Sequence, residues 1–276
     1  MYNGGMNSYS DDVYVFDLDG VITNPSDSSV DEVVLDAIYT RLAGGAHIAV
    51  NTGRSYEWVG QNLVGDFKQR GDDSVFERLF IVCEKGGESM IWRDGDFVSL
   101  PSRFALNQDS YNTAKELFES HADEFPAMFW DATKRTMATI EKKPEAELQD
   151  FKEQQKHLGE LLHESLNGSD VKVDLTTIAT DIESPRAGKH AGAELIYEWV
   201  AEHTPVEGDI FTCFGDSPSD YEMARYFGEQ GARTTFVFVG KPEATFDEDE
   251  RVRTVRTTAL YAAGTREYFE HNQEEA

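Results

Sequence analysis

Cations are scarce in this chain. Its 276 residues carry 25 Lys+Arg against 52 Asp+Glu, a formal net charge of −27. A surface this acidic repels a phosphate backbone or an anionic headgroup layer, so neither nucleic acid nor a membrane surface is an expected partner. A small anionic substrate in a locally cationic pocket stays open. Strong acidity with few lysines also fits a high-salt host. Cysteine is nearly missing: Cys83 and Cys213 are too few for a disulfide framework, and each sits in an apolar run, as inert buried thiols do. Long hydrophobic runs are absent too, none approaching the roughly 18 residues of a membrane span. Residues 1–12 have neither the basic start nor the apolar centre of a signal peptide. Repeats and low-complexity tracts are lacking. What is present is a globular composition, 39% hydrophobic and 12% aromatic, long enough for one large domain or a core with a second module. The expectation is a cytoplasmic enzyme or binding protein.

The first third alternates strands and helices. Val13–Phe16 reads as a short buried strand. Val30, Val33, Val34, Ala37, Ile38 and Leu42 then recur at helical spacing, with Ser29 and Glu32 as a capping box and Gly44-Gly45 as the stop. Strand His47–Val50, a helix over about 55–64 and strand Leu79–Cys83 follow. That order predicts a Rossmann-like α/β core, a parallel sheet with helices on both faces. After Gly86-Gly87 the rhythm changes to a hairpin (Met90–Trp92 with Phe97–Leu100), a strand pair around 131–135, a charged helix over 144–166 and a strand over 171–178. From Lys189 the βα rhythm resumes, with strands at Ile210–Phe214, Thr235–Val239 and Val252–Val255. The expected organisation is a catalytic core formed by 1–87 and 186–276, interrupted by an α+β cap over 88–185.

Ligands of open α/β sheets bind beyond the carboxyl ends of the strands. There the sequence places Asp17-Leu-Asp19-Gly20, then Asn51-Thr52-Gly53-Arg54, and then Gly215-Asp216-Ser-Pro-Ser-Asp220, with Lys189 opening the helix after the insertion. Clustered carboxylates need a cation, and a hard divalent ion with oxygen ligands is the ordinary solution. Taken singly, each piece has a plainer reading. Asp17-x-Asp19-Gly is also a turn, Thr52 a helix cap, Lys189 a solvated surface lysine and Gly215-Asp216 a turn before a helix. A calcium loop is disfavoured by the apolar strand before Asp17 and the missing Glu twelve positions on. Together, and in this order, coincidence is a poor explanation.

This set resembles the four motifs of the haloacid dehalogenase-like (HAD) phosphatases: Asp17-Leu-Asp-Gly-Val21, Thr52, Lys189, and Gly215-Asp216 with Asp220. The insertion falls where that family's type-2 cap sits. Asn51–Arg54, Glu84-Lys-Gly-Gly87 and Ile182–Lys189 are similar to the Cof-like, subclass IIB branch, which includes sugar-phosphate phosphatases and phosphomannomutase. The sequence departs from that pattern at Lys85, His190 and Ser219.

The resemblance implies a phosphatase of a small phosphorylated metabolite. Asp17 is then the nucleophile, Asp19 the acid and base, and Thr52 and Lys189 the phosphoryl holders. Mg²⁺ is held by Asp17, the Asp19 backbone carbonyl and Asp216, with Asp220 supporting the metal shell. Substrate contacts are expected from Gly53, Arg54, Lys134, Arg135 and Asp181, with Glu183 a further candidate. Lys134 and Arg135 otherwise read as a solvated turn, and Phe129 and Trp130 as cap core. A phosphomutase of the same fold is the nearest rival, and a receiver-like phospho-aspartate switch is a second. Neither the exact substrate nor the oligomeric state follows from the sequence.

Overall fold

The computed structural model describes residues 12–203 and 210–272. Most of the stretch read as lacking a signal peptide therefore lies outside the described residues. In chain order the elements begin with β1 (Asp12–Phe16), α1 (Glu32–Ala43), β2 (His47–Asn51), and α2 (Tyr56–Val59), which runs through a π-turn into α3 (Gly65–Lys68). Then come β3 (Leu79–Cys83), β4 (Glu88–Arg93), β5 (Asp96–Pro101), α4 (Gln108–Ser120), β6 (Met128–Trp130), β7 (Ala138–Lys142) and α5 (Leu148–Ser165). The chain closes with β8 (Lys172–Leu175), β9 (Ala179–Glu183), α6 (Lys189–His203), β10 (Ile210–Gly215), α7 (Tyr221–Glu229), β11 (Arg233–Phe238), β12 (Val252–Arg256) and α8 (Ala262–Asn272).

The large sheet has the order β12-β11-β10-β1-β2-β3-β4-β5. Its first six strands are parallel, as the βα alternation requires. Side chains alternate between two apolar layers because strand residues two apart share a face. Phe16, Ile48, Val50, Ile81 and Phe214 pack with α1 and α8, whereas Val13, Val15, Ala49, Phe211 and Phe236 pack with α6 and α7. The cysteines divide the same way: both are buried, free thiols whose pKa burial raises. Helix α1 is capped by Asp31, which accepts from the Val33 and Val34 N–H groups, rather than by the expected Ser29 box.

One boundary is corrected. The hairpin assigned to the start of the insertion is β4-β5, and it pairs antiparallel with β3 as the end of the large sheet. Asp94 and Gly95, with φ of +54° and +86°, form its two-residue turn. The apolar, alternating hairpin looks alike in either sheet; only its partner strand distinguishes the two. The inserted module is therefore the separate four-stranded sheet β6-β7-β9-β8, with Ile140 and Ile182 packed on Ala114, Phe118, Phe151, Leu158 and Leu162 of α4 and α5. Within it, the strand expected over 171–178 is β8 alone, Lys172–Leu175, followed by the turn that leads into β9 at Ala179.

Candidate active site

The site begins where the parallel ladder runs out. Asp17 and Thr52 each extend it by one bond, from the Asp17 N–H to Phe214 O (3.0 Å) and from the Thr52 N–H to Val82 O (2.9 Å). Lys189, the first residue of α6, is aimed at these ends. Its Nζ donates to Asp17 Oδ1 (2.5 Å) and Asn51 O (2.6 Å) and pairs with Asp220 Oδ1 (2.9 Å). Asn51 returns the contact through Nδ2 to Lys189 O (2.8 Å). Asp220 ties the β10 loop together: its Oδ2 accepts from the Asp216 N–H (3.2 Å), the Ser217 N–H (3.0 Å) and Ser217 Oγ (2.7 Å). Gly20, at φ +76°, lets the β1 loop pass close to Asp216. A Cβ there would lie 2.7 Å from Asp216 Oδ2.

Burial sets the electrostatics. It pushes the Asp17 carboxyl up to about 8 against the opposing pull of Lys189. Burial, then the Asp220 charge, pushes Asp216 up to about 6. Burial alone would lower the Lys189 pKa, but the Asp17 and Asp220 carboxylates outweigh it and raise it. Asp17, Asp216 and Asp220 each offer an oxygen, and the three atoms lie within 4.8 Å of one another. A carboxylate group short of positive charge at that spacing fits a divalent cation with oxygen ligands. Asp220 spends its oxygens on Lys189 and the loop, which leaves Asp17 and Asp216 as the direct donors.

The Asp19 carboxylate stands apart from that group. Arg54 grips it with Nε at 3.1 and 3.0 Å from its two oxygens and Nη2 at 2.7 Å from Oδ1. Arg54 also donates to Ser28 Oγ (3.0 Å) and lies 4.6 Å over the Trp58 ring. Thr52 does not cap the following helix, a task taken by Ser55. Its Oγ1 instead accepts from the Arg54 N–H at 3.1 Å.

A cavity of about 570 Å³ lies between sheet and cap. Asp17, Asp19, Arg54 and Asp216 line its core side; Lys134, Thr139, Glu141 and Asp181 line its cap side. Lys134, expected as a solvated tip or a substrate contact, is buried and donates through Nζ to Gly53 O. Asp181 accepts from Thr139 Oγ1 (2.9 Å) and pairs with Lys85 Nζ (2.7 Å), which also reaches Glu183 (2.8 Å). A recess of about 260 Å³ on the other side of Lys85 touches Asp17, Thr52, Lys172, Glu183 and Lys189.

Arg135 is not part of the cavity lining, contrary to expectation. Its guanidinium sits 4.6 Å over Tyr56 and 3.5 Å from the buried Glu88. Phe129 and Trp130 stand on the short strand β6, and Trp130 packs edge-on to Tyr111 at 5.4 Å. Three residues went unassigned in the sequence. Glu84 holds the cap turn, Lys85 bridges to the cap acids, and Glu141 faces the cavity. The run Glu84-Lys-Gly-Gly87 at a strand end was the available signal for the first two.

No family model matches the sequence, and no curated relative does. Solved structures do match. The trehalose-6-phosphate phosphatase of Aspergillus fumigatus superposes with a TM-score of 0.57 at 17% identity over 98% of this chain and 96% of that one. The sucrose-phosphatase of Synechocystis sp. PCC6803 gives 0.53 at 19% identity over 95% and 98%. A haloacid dehalogenase-like hydrolase of Bacteroides thetaiotaomicron gives 0.63 at 14% identity over 95% and 99%. The chain therefore shares the HAD-like fold of these proteins.

Proposed function

We propose that the protein is a Mg²⁺-dependent phosphatase acting on a small phosphate monoester, most simply a sugar phosphate. The observation that carries this reading is the Asp17–Lys189–Asp220 cluster with Asp216 at the mouth of a capped cavity. The fold it shares with two sugar-phosphate phosphatases supports the same reading.

Hydrolysis of phosphate monoesters is among the slowest reactions in water, with accelerations up to about 10²¹-fold required, so positioning and charge neutralisation do most of the catalysis. Asp17 attacks phosphorus in line, forming an acyl-phosphate bond as the bond to the leaving oxygen breaks. Asp19, two residues on, gives the leaving oxygen its proton. It then takes one from the water that splits the acyl-phosphate and returns Asp17. Lys189 and the Thr52 hydroxyl hold the transferred oxygens. Asp17 and Asp216, with the Asp19 carbonyl, would hold Mg²⁺, which would supply positive charge against the phosphoryl group.

The test is phosphate release from a panel of phosphorylated metabolites with Mg²⁺, beside Asp17→Asn. Hydrolysis by the parent and none by a folded Asp17→Asn is the expected result. Unchanged turnover in the variant removes Asp17 as nucleophile, and a requirement for a bisphosphate activator points to a phosphomutase.

A further inference from the structure

Among the described residues, each cation that lines the cleft has a partner. Arg54 is committed to Asp19, and Lys85 to Asp181 and Glu183. In the adjoining recess Lys172 pairs with Glu183 (2.9 Å) and Asp174 (3.4 Å). Lys134 is tied to Gly53 O, next to Thr52 and so at the phosphoryl end. The side chain of Glu141 is the opposite case. It has no hydrogen-bond or ion-pair partner among the described residues, yet it lines the cavity on the cap wall.

The placement of Glu141 follows from strand geometry. Ala138 and Ile140 of β7 point into the cap core, so Met137, Thr139 and Glu141 take the other face and line the cavity. Asp131 and Asp181 repel the Glu141 charge, and Lys134 and Arg54 attract it, but burial dominates and raises its pKa. Such a carboxylate lacks donors. A hydroxyl or an ammonium satisfies it, and a second anion placed against it meets its repulsion.

We propose that the cavity selects phosphate monoesters whose leaving group carries no anionic group, a neutral polyol or an amino sugar, and that Glu141 enforces this selection. The inference rests on the phosphatase reading and deepens it. It also disfavours phosphomutase action, which passes through a bisphosphate.

Glucose 6-phosphate, glucosamine 6-phosphate and 6-phosphogluconate test it, since they share a carbon count and differ in charge. Each is measured with Mg²⁺ as substrate and as competitive inhibitor of p-nitrophenyl phosphate hydrolysis, so that an ester that is not turned over still yields a Ki. The parent is expected to favour the first two over 6-phosphogluconate by at least about tenfold. Glu141→Gln narrows that ratio, and Glu141→Lys reverses it. Equal treatment of all three esters by the parent, or a ratio unmoved in Glu141→Lys with a native circular-dichroism spectrum, overturns the selection. If the parent fails even with p-nitrophenyl phosphate, the phosphatase reading falls and takes this inference with it.

Discussion

Glu84 Oε2 accepts both the backbone N–H (2.7 Å) and the hydroxyl (2.8 Å) of Thr136, 52 residues further along the chain. The same carboxylate takes the N–H groups of Arg135 (3.0 Å) and Met137 (3.2 Å) and is 1% exposed. A cap turn is thus fastened to the end of β3 by one side chain. Glu84→Ala would leave several buried donors without an acceptor, a loss of about 3–5 kcal/mol. Glu84→Gln keeps one acceptor and should cost less. Urea denaturation reads both; an Ala variant as stable as the parent would mean that the turn is held elsewhere.

A second stability prediction concerns pH. His47, on β2, is 6% exposed, with its ring 5.4 Å from Trp199 and 6.3 Å from His203. Burial, then the His203 and Arg78 charges, pulls its pKa from 6.5 down to about 4. Between those values the unfolded chain binds a proton that the folded chain does not. The stability contributed by neutral His47 is therefore complete above about pH 6.5 and declines as pH falls toward 4. Denaturation midpoints measured across this window should fall less steeply for His47→Gln than for the parent. Parallel slopes would remove His47 as the cause.

These residues show what the sequence could and could not reveal. Asp17, Thr52, Asp216 and Lys189 were legible because each follows an apolar strand or opens a helix, and the α/β order brings those ends to one edge. Helices α4 and α8 went unread. Both are mostly polar outside a narrow buried stripe, with Ser110, Ala114 and Phe118 as the buried residues of α4. The run Glu84-Lys-Gly-Gly87 marked a loop at a strand end, but the contacts of Glu84 and Lys85 were not legible, for another reason. Both adopt φ near +50°, a backbone state rare outside glycine, and it persists because contacts distant in sequence hold them there. No local pattern encodes a carboxylate whose partners lie 52 residues away.

Asp216 leads to a prediction about metal. With its carboxyl pushed up to about 6, the ionised group destabilises the metal-free fold at neutral pH, and a divalent cation relieves that repulsion. Adding Mg²⁺ at about a hundredfold excess over its Kd should stabilise the protein by about 2.7 kcal/mol, seen as a higher Tm without any substrate. Chelation should reverse the shift and stop phosphate release. Asp216→Asn should raise the metal-free Tm and abolish the response to Mg²⁺. A variant that still responds fully would take Asp216 out of the metal site.

The Arg54–Asp19 pair separates two roles for Arg54. As a substrate contact, Arg54 would bind the ester directly and its loss would raise KM. As observed, its bidentate grip is on Asp19, and Ser28 and Trp58 hold it in that pose. Arg54→Ala should then lower kcat by roughly 10–100-fold with a smaller change in KM, since a displaced proton donor weakens the transition state more than the bound state. Arg54→Lys should recover only part of this, because a single ammonium cannot make the two-pronged contact. A rise in KM at unchanged kcat would assign Arg54 to the substrate instead.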